Sequence, residues 1–374
     1  MKIMQFIPNL LSGGAERFVV DLANKQAETN SVVLVVFYSR KTIRQQTLWN
    51  GVSKHVKLIC LDKKLGLDLS IYKKIYKVLK KEQPDIVHTH IGTIRYVYPV
   101  VYLFRKKIKG VHTIHTQVEK DRISKADFLL KKFFYRTDFC TPVLISNVFE
   151  KGFIQHFPKT QFYQIDNGRT IITDGHTTSN EITAFIESAS TAPAVFLFVG
   201  RISHPKNITL LINSFKELAK INNNVVLFLI GRINEPDEWE KVRATIEDEN
   251  SSFFYLGEKN NVLDYLQQAD FICFSSIYEG MPISLIEAFA MGTIPIVTPV
   301  GSMPQMVGPD GFISEDLSTG AYSRCLQDAL LLSKSDRDVL KSNLKNKYNQ
   351  EYTMDACASK YEAVYNKIML KNKM

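Results

Sequence analysis

The feature that most constrains this chain is a repeated alternation of short, nearly continuous apolar runs with longer segments of helical spacing. KIMQFI at 2–7, SVVLVVFY at 31–38, DIVHTH at 85–90, GVHTIH at 110–115, PVLIS at 142–146 and FYQIDNG at 162–168 read as strands. A glycine turn at Ser12, Gly13 and Gly14 leads into a helix through ERFVVDLANKQAE, and a lysine-rich helix near 70–82 precedes DIVHTH. Strands apolar on both faces must be covered on both faces, so the rhythm predicts a parallel sheet between two layers of helices.

Residues 170–193 interrupt the rhythm with small and polar residues, as an interdomain connection does. It then resumes with AVFLFVG, NITLLINSFKELAKI, VVLFLIG, a helix near 236–248, FFYLG, a short helix near 261–268, DFICFSS, PISLIEAFAMG and IPIVT. The expectation is an α/β chain of two doubly wound, Rossmann-like domains, 1–169 and 194–355, joined by a linker at 170–193. The tail at 356–374 has helical spacing and basic residues; crossing back to the first domain and capping the second both fit it.

At 374 residues, 45% hydrophobic and 23% charged, the chain can build two cores. Neither a secretory signal nor an apolar run of about 18 residues is present, so a cytoplasmic location is expected. Cys60, Cys140, Cys273, Cys325 and Cys357 are scattered without metal-ligand spacing and read as thiols rather than disulfides or zinc ligands. The net charge of +9 conceals an asymmetry: residues 1–169 hold 29 Lys and Arg against 13 Asp and Glu, and the remainder 18 against 25. KKLGLDLSIYKKIYKVLKK, RKKIK and LLKKFFYR mix these cations with apolar and aromatic residues. Solvated helix faces, an anionic membrane surface and nucleic acid are the three readings, and the last lacks any recognised binding motif.

Two loops carry the chemistry. In SSIYEGMPISLIEAFAMG, at 275–292, Glu279 and Glu287 lie eight positions apart across a predicted helix start, with Pro282 near the first turn and Gly292 at the end. A helix N-terminus between two carboxylates can hold an anion and the hydroxyls around it, as a sugar nucleotide requires. After AVFLFVG, Arg201 follows the strand directly and Lys206 comes five residues on. Arg grips phosphate oxygens in a fork and Lys adds a compact charge, a pairing suited to a diphosphate.

FVGRISHPKN with EGMPISLIEAFAMG resembles glycosyltransferase family 4, and GGAER, DIVHTH, GVHTIH and DNG fall in that family's usual order. The likeness extends to transferases of capsular and lipopolysaccharide type. It implies the GT-B fold, two Rossmann-like domains facing a cleft, a nucleoside-diphosphate-sugar donor held mainly by the C-terminal domain, and a glycan or lipid-linked glycan acceptor held mainly by the N-terminal one. By the same resemblance, transfer would retain anomeric configuration. Arg201 and Lys206 would neutralise the diphosphate, Glu287 would bind ribose hydroxyls, and Glu279 and His115 would reach the donor sugar. Backbone N–H groups of Met281, Ile283 and Ser284 would add to the phosphate site, while Pro282 has none. Gly13 and Gly14 would let backbone approach phosphate or sugar, or simply form a βα turn.

His112 falls on the opposite strand face from His115 and reads as structural. His88 and His90 share a face and read as packing or lining rather than as a metal pair. Asp336 and Asp338 read as a helix-start acid cluster; with Arg201, Lys206 and the helix N-terminus doing the neutralising, no metal is required and no separate cofactor is expected. Gly231–Ile233 lack the glycine pair often found there, and Gln305 stands where the family often has glutamate, which bears on nucleotide contacts. An epimerase or phosphorylase of the same fold, and a non-catalytic basic module sensing a nucleotide sugar at a membrane, are the rival functions.

Overall fold

Strand β1 (Lys2–Ile7) is buried along nearly its whole length, so both faces need a cover, and parallel partners on each side supply its hydrogen bonds. The computed structural model describes residues 1–44, 46–118, 124–137, 139–172, 180–189, 191–247 and 252–370. Contacts divide it into two units, one of Met1–Thr170 with the chain from Tyr352 onward, the other Ile171–Glu351.

In the first unit β1 is joined by β2 (Ser31–Val36), β3 (Val56–Cys60), β4 (Ile86–His90), β5 (Lys109–Ile114), β6 (Cys140–Leu144) and the two-residue β7 (Tyr163–Gln164). All described pairings are parallel, in the order β3-β2-β1-β4-β5-β6-β7. The reversal of order between β1 and β4 makes a switch point, where the loops leaving two adjacent strands diverge to open a crevice. The helices are α1 (Gly14–Gln26), α2 (Ser70–Glu82), α3 (Ile94–Val101), α4 (Lys125–Arg136) and α5 (Glu150–His156). Strand β3 has no counterpart in the sequence reading, because an edge strand with Lys57 exposed and only Val56 fully buried carries little apolar signal.

The second unit repeats the plan. Strands β8 (Ala194–Val199), β9 (Val225–Ile230), β10 (Phe253–Gly257), β11 (Phe271–Phe274), β12 (Ile294–Val297) and β13 (Phe312–Ile313) form a parallel sheet in the order β10-β9-β8-β11-β12-β13. Its switch point lies between β8 and β11. The helices are α6 (Asn180–Ser188), α7 (Ile208–Ile221), α8 (Pro236–Glu247), α9 (Val262–Gln268), α10 (Ile283–Met291), α11 (Met303–Val307), α12 (Thr319–Leu331) and α13 (Lys334–Lys347).

Helix α6 lies inside the stretch that the sequence suggested as connection. Ile182 is buried and the Phe185 ring packs 5.9 Å from Phe228 and 5.1 Å from Phe254, so an apolar face docks this helix onto β9 and β10. Residues 173–179 of that stretch fall outside the described residues. Ser333 caps α13 by accepting from the Asp336 N–H at 3.1 Å, and its hydroxyl donates to Asp336 at 2.7 Å.

Helix α14 (Met354–Leu370) belongs to the first unit, where it packs on α1. The chain leaves and re-enters that unit side by side: Arg169 N–H donates to the Tyr352 carbonyl at 3.0 Å and Met354 N–H to the Arg169 carbonyl at 3.2 Å. The Arg169 guanidinium meets Asp21 of α1 at 2.5 Å. Burial pushes the Asp21 carboxyl above its usual pKa, against the pull of Arg169.

Candidate functional site

In the second unit the switch point brings the ends of β8 and β11 together. Gly200 and Arg201 follow β8, and a short turn, His204–Lys206, ends at Asn207 in the left-handed region (φ 47°) before α7 begins. Asparagine tolerates that conformation better than most residues. Past β11, the Ser275 hydroxyl donates to the Lys206 carbonyl at 2.9 Å and the Ile277 N–H to the Pro205 carbonyl at 2.9 Å, stitching the two loops into one.

This stitching sets the Lys206 ammonium on Glu279 Oε1, with both side chains more than four-fifths buried. The Ser276 hydroxyl donates to the same carboxylate oxygen at 2.8 Å. Glu279 is held from behind by Gly301, whose φ of +59° favours glycine and whose absent Cβ would lie 2.3 Å from the Glu279 carbonyl oxygen. The Ser302 hydroxyl donates to the Gly280 carbonyl at 2.7 Å, and Thr298 to that of Ser276 at 2.7 Å. A carboxylate and an ammonium are thereby fixed at a strand end. Arg201 is exposed beside them in sequence and forms no ion pair among the described residues.

Pro282 occupies the cap position of α10, one residue before the helix, with no side-chain cap. The first helical N–H groups are therefore those of Ile283 and Ser284, which have no carbonyl four residues back inside the helix. Met281 precedes the cap, so its N–H lies in the loop that leads into α10 rather than in the first turn. Glu287, one turn into α10, is buried. The structure brings Lys206 and Glu279 into contact and puts Glu287 on the helix that follows. Gly231, beside Gly200, has φ +150° and a Cβ there would come within 1.7 Å of the Gly200 carbonyl oxygen, so the β8 and β9 exits meet backbone to backbone. Gln305 is exposed on α11.

The first unit assembles a second set of candidates at its own switch point. Gly13 caps α1 with extended backbone (φ −84°, ψ 158°), and Gly14 is the first helical residue. A Cβ on Gly13 would lie 2.2 Å from a Glu16 carboxylate oxygen, so glycine here admits the folded-back acid to the helix start. His115, half-buried after β5, shares a 3.0 Å hydrogen bond between its Nε2 and His90 Nδ1, and Phe18 packs against both rings. His88 bonds Tyr365 at Nδ1 and Thr113 at Nε2, both at 2.7 Å. Burial and neighbouring imidazoles hold His88 and His90 well below the usual histidine pKa, so both are neutral. His112, on the other face, bonds Thr89 through Nδ1. Among the described residues no group of three or more His, Cys, Asp or Glu could hold a metal.

Several participants escaped the sequence reading. Ser276 comes from the loop after β11, and Gly301 and Ser302 from the loop after β12. Gln5 had a signal, a lone amide inside an apolar strand, and so had Tyr361 and Tyr365, spaced one turn apart on the tail helix.

Residues 180–347 match the family of glycosyl transferases group 1, and residues 12–147 match glycosyltransferase family 4. The capsular polysaccharide biosynthesis glycosyltransferase CapH of Staphylococcus aureus is 28% identical over 302 residues, 77% of this chain and 78% of that protein. The Escherichia coli UDP-Gal:alpha-D-GlcNAc-diphosphoundecaprenol alpha-1,3-galactosyltransferase is 24% identical, covering 83% of this chain and 82% of its own. Among solved structures, Anabaena HepE in complex with UDP-glucose superposes with a TM-score of 0.80 at 16% identity, over 98% of this chain and all of that one. The fold, two Rossmann-like sheets in one chain, is GT-B.

Proposed function

Because this chain belongs to glycosyltransferase family 4, we propose that it moves a sugar from a nucleoside diphosphate to a hydroxyl of a glycan or lipid-linked glycan, with retention of configuration. The observation that carries the reading is the convergence of Lys206, Glu279, the nearby Arg201 and the α10 N-terminus at one switch point. Lys206 has three N–H donors and can keep Glu279 while binding a phosphate oxygen. Arg201 and the Ile283 and Ser284 N–H groups add donors, so charge that grows on the departing diphosphate meets fixed positive groups. Glu279 accepts from donor-sugar hydroxyls and Glu287 from those of the ribose. The bond from anomeric carbon to phosphate oxygen breaks as the acceptor oxygen bonds on the same face, and the acceptor's proton passes to the leaving phosphate. Arg201, Lys206 and the α10 N-terminus supply neutralisation without a metal, and the donor is the only small molecule required.

Support for the acceptor class comes from relatives named for capsular polysaccharide and diphosphoundecaprenol chemistry. Incubating the protein with labelled nucleotide sugars and a lipid-linked acceptor tests the proposal. Transfer or donor hydrolysis that falls in Arg201→Ala and Glu287→Ala supports it; wild-type transfer by either variant refutes the site. Interconversion of sugars without release would indicate an epimerase, and binding without turnover a sensor.

A peripheral place on an anionic membrane fits the basic first unit. Ring contacts join α2 to the Tyr102–Phe104 turn (Tyr76–Phe104, 5.5 Å) and that turn to α4 (Tyr102–Phe133, 5.8 Å). Leu65, Leu67, Leu69, Leu103, Leu129 and Phe133 are exposed among the lysines of these segments. Apolar side chains can enter the lipid boundary while the lysines meet anionic headgroups. No helix of the described residues is long and apolar enough to cross a membrane. Sedimentation with vesicles containing anionic lipid, but not with neutral ones, is the expected result; failure with both refutes this placement.

A further inference from the structure

Lys63, three residues past β3, is 1% exposed, yet its ammonium meets no carboxylate among the described residues. It donates to the carbonyls of Lys64 at 2.9 Å and Gly66 at 2.6 Å, which solvate the charge without neutralising it. Its Nζ stands 5.3 Å from the centre of the Tyr38 ring and 5.5 Å from that of Tyr96. The Tyr96 ring carries a second cation. Arg95, at the start of α3, places its guanidinium 4.8 Å from the ring centre; it has no ion pair among the described residues, and its Nε is buried without a hydrogen-bond partner. Phe37, edge-on at 5.6 Å, and Tyr72 of α2, at 6.1 Å, hold the Tyr96 ring in place. The hydroxyls of Tyr38, Tyr72 and Tyr96 have no partner among the described residues either. Burial, with Tyr96 beside it, pushes the Tyr72 hydroxyl above its usual pKa, so it remains a donor. The cluster lies where β2, β3 and β4 end. Lys63 N–H donates to the Phe37 carbonyl at 2.8 Å, and the Thr93 hydroxyl, just before α3, donates to the Phe6 carbonyl of β1 at 3.3 Å. The carboxyl ends of parallel strands around a switch point are where such sheets bind ligands.

Elsewhere in this unit a buried or half-buried cation is matched by an acid: Lys2 meets Glu82, Lys131 meets Asp127 and Arg169 meets Asp21. No acid answers Lys63 and Arg95. The loop after β2, residues 37–46, adds Arg40, Lys41 and Arg44 and no carboxylate. After β3, Asp62 is exposed, and Asp68 gives its two oxygens to Lys64 and Ser70 of its own loop. An uncompensated charge in low dielectric is costly until a counter-charge arrives. A guanidinium laid on an aromatic ring keeps its planar fork of donors available to carboxylate or phosphate oxygens. We propose that Arg95, with the Tyr38, Tyr72 and Tyr96 hydroxyls around it and the Lys63 charge behind, binds an oxyanion, phosphate or carboxylate. That the oxyanion belongs to the acceptor rests on the transferase reading. On that reading the site selects acceptors that carry such a group, the phosphate of a lipid-linked glycan or the carboxylate of an acidic sugar, over neutral glycans.

Proton–nitrogen correlation spectra covering backbone amides and arginine side chains read the site directly, with methyl phosphate and glucuronate as probes and the Arg95→Lys spectrum assigning the Arg95 Nε–H. In the wild type, one probe or both should move the Arg95 Nε–H and the Tyr38, Lys63 and Tyr96 amides along a single saturating curve. A response to methyl phosphate points to phosphorylated acceptors, and a response to glucuronate to acidic sugars. Arg95→Gln should raise that Kd about tenfold or more, as the loss of a charge-assisted hydrogen bond predicts. Arg95→Lys keeps the charge without the fork and should raise it by less, and thermal melting verifies that both variants are folded. With acceptors matched except for the anionic group, kcat/KM of Arg95→Gln should fall about tenfold further for the anionic one than for the neutral one. No saturating shift at Arg95 with either probe, a Kd unchanged in both variants, or an equal fall for both acceptors would each overturn the proposal. The probes need neither donor nor transfer, so a wild type that binds a probe at Arg95 but transfers no sugar would refute the transferase reading and leave the oxyanion site standing.

Discussion

Replacing Lys206 by alanine tests the donor site at its most constrained point. The ammonium sits on Glu279 with both side chains largely buried, and Ser276 donates to the same carboxylate. Alanine removes one charge-assisted hydrogen bond to the diphosphate, worth about 1.5–3 kcal/mol, or about 10- to 150-fold in Kd at about 1.4 kcal/mol per decade. It also leaves Glu279 facing the incoming anion with only the Ser276 hydroxyl to offset its charge, which adds repulsion to the lost attraction. Lys206→Ala/Glu279→Gln removes that repulsion and should bind nucleoside diphosphate more tightly than Lys206→Ala alone. The coupling expected for residues in contact is about 0.5–3 kcal/mol. Isothermal titration with UDP, GDP and ADP gives the affinities, and thermal melting verifies that each variant is folded. Binding by folded Lys206→Ala within twofold of wild type, for whichever diphosphate binds, would refute the assignment. A double variant weaker than both singles would refute the repulsion argument.

Gly301→Ala should lower both stability and donor affinity: the strained backbone costs about 1–3 kcal/mol, and the new methyl pushes on the Glu279 carbonyl; equal Kd for wild type and variant would contradict this. Arg169→Met strands the Asp21 carboxylate beside the paired crossing segments, and breaking such a pair costs about 3–5 kcal/mol, to be read as a lower denaturant midpoint. Asp68 accepts from the Ser70 hydroxyl and from the Lys64 and Ser70 N–H groups, which hold its pKa down to about 2, the Ser70 hydroxyl contributing most. A folded-state pKa below the unfolded one stabilises above the unfolded value of 3.8 and is lost as pH falls through about 2. Asp68→Asn should thus flatten the acid limb of the stability–pH curve, and an unchanged limb would count against these bonds.

Local pattern carried the reading furthest where an element is buried on both sides. The helix expected near 70–82 is Ser70–Glu82, and AVFLFVG and VVLFLIG contain β8 and β9, because apolar spacing is imposed residue by residue. It failed where burial is partial or borrowed. Strand β3 pairs only with β2 among the described residues, and α6 takes its support from Phe228 and Phe254 on strands that come later in the chain. At the candidate site, residue types at strand ends were legible for Arg201, Lys206, Glu279 and Glu287. The supports Ser276, Gly301 and Ser302 were not, since small polar residues are common in every loop.

The sequence by itself determined that the chain alternates strand and helix twice over, with cations after one strand and carboxylates after another. Periodicity reports how each segment is buried, and strand ends carry their loops wherever the strand goes. Only the tertiary structure decided which ends meet. The order β10-β9-β8-β11 sets Lys206 on Glu279 across 73 positions of sequence, and the packing of α14 on α1 brings the Tyr365 hydroxyl to Gln26 across 339. Neighbours in a sheet are chosen by the packing of all the strands and helices together, and no local stretch of residues encodes that choice.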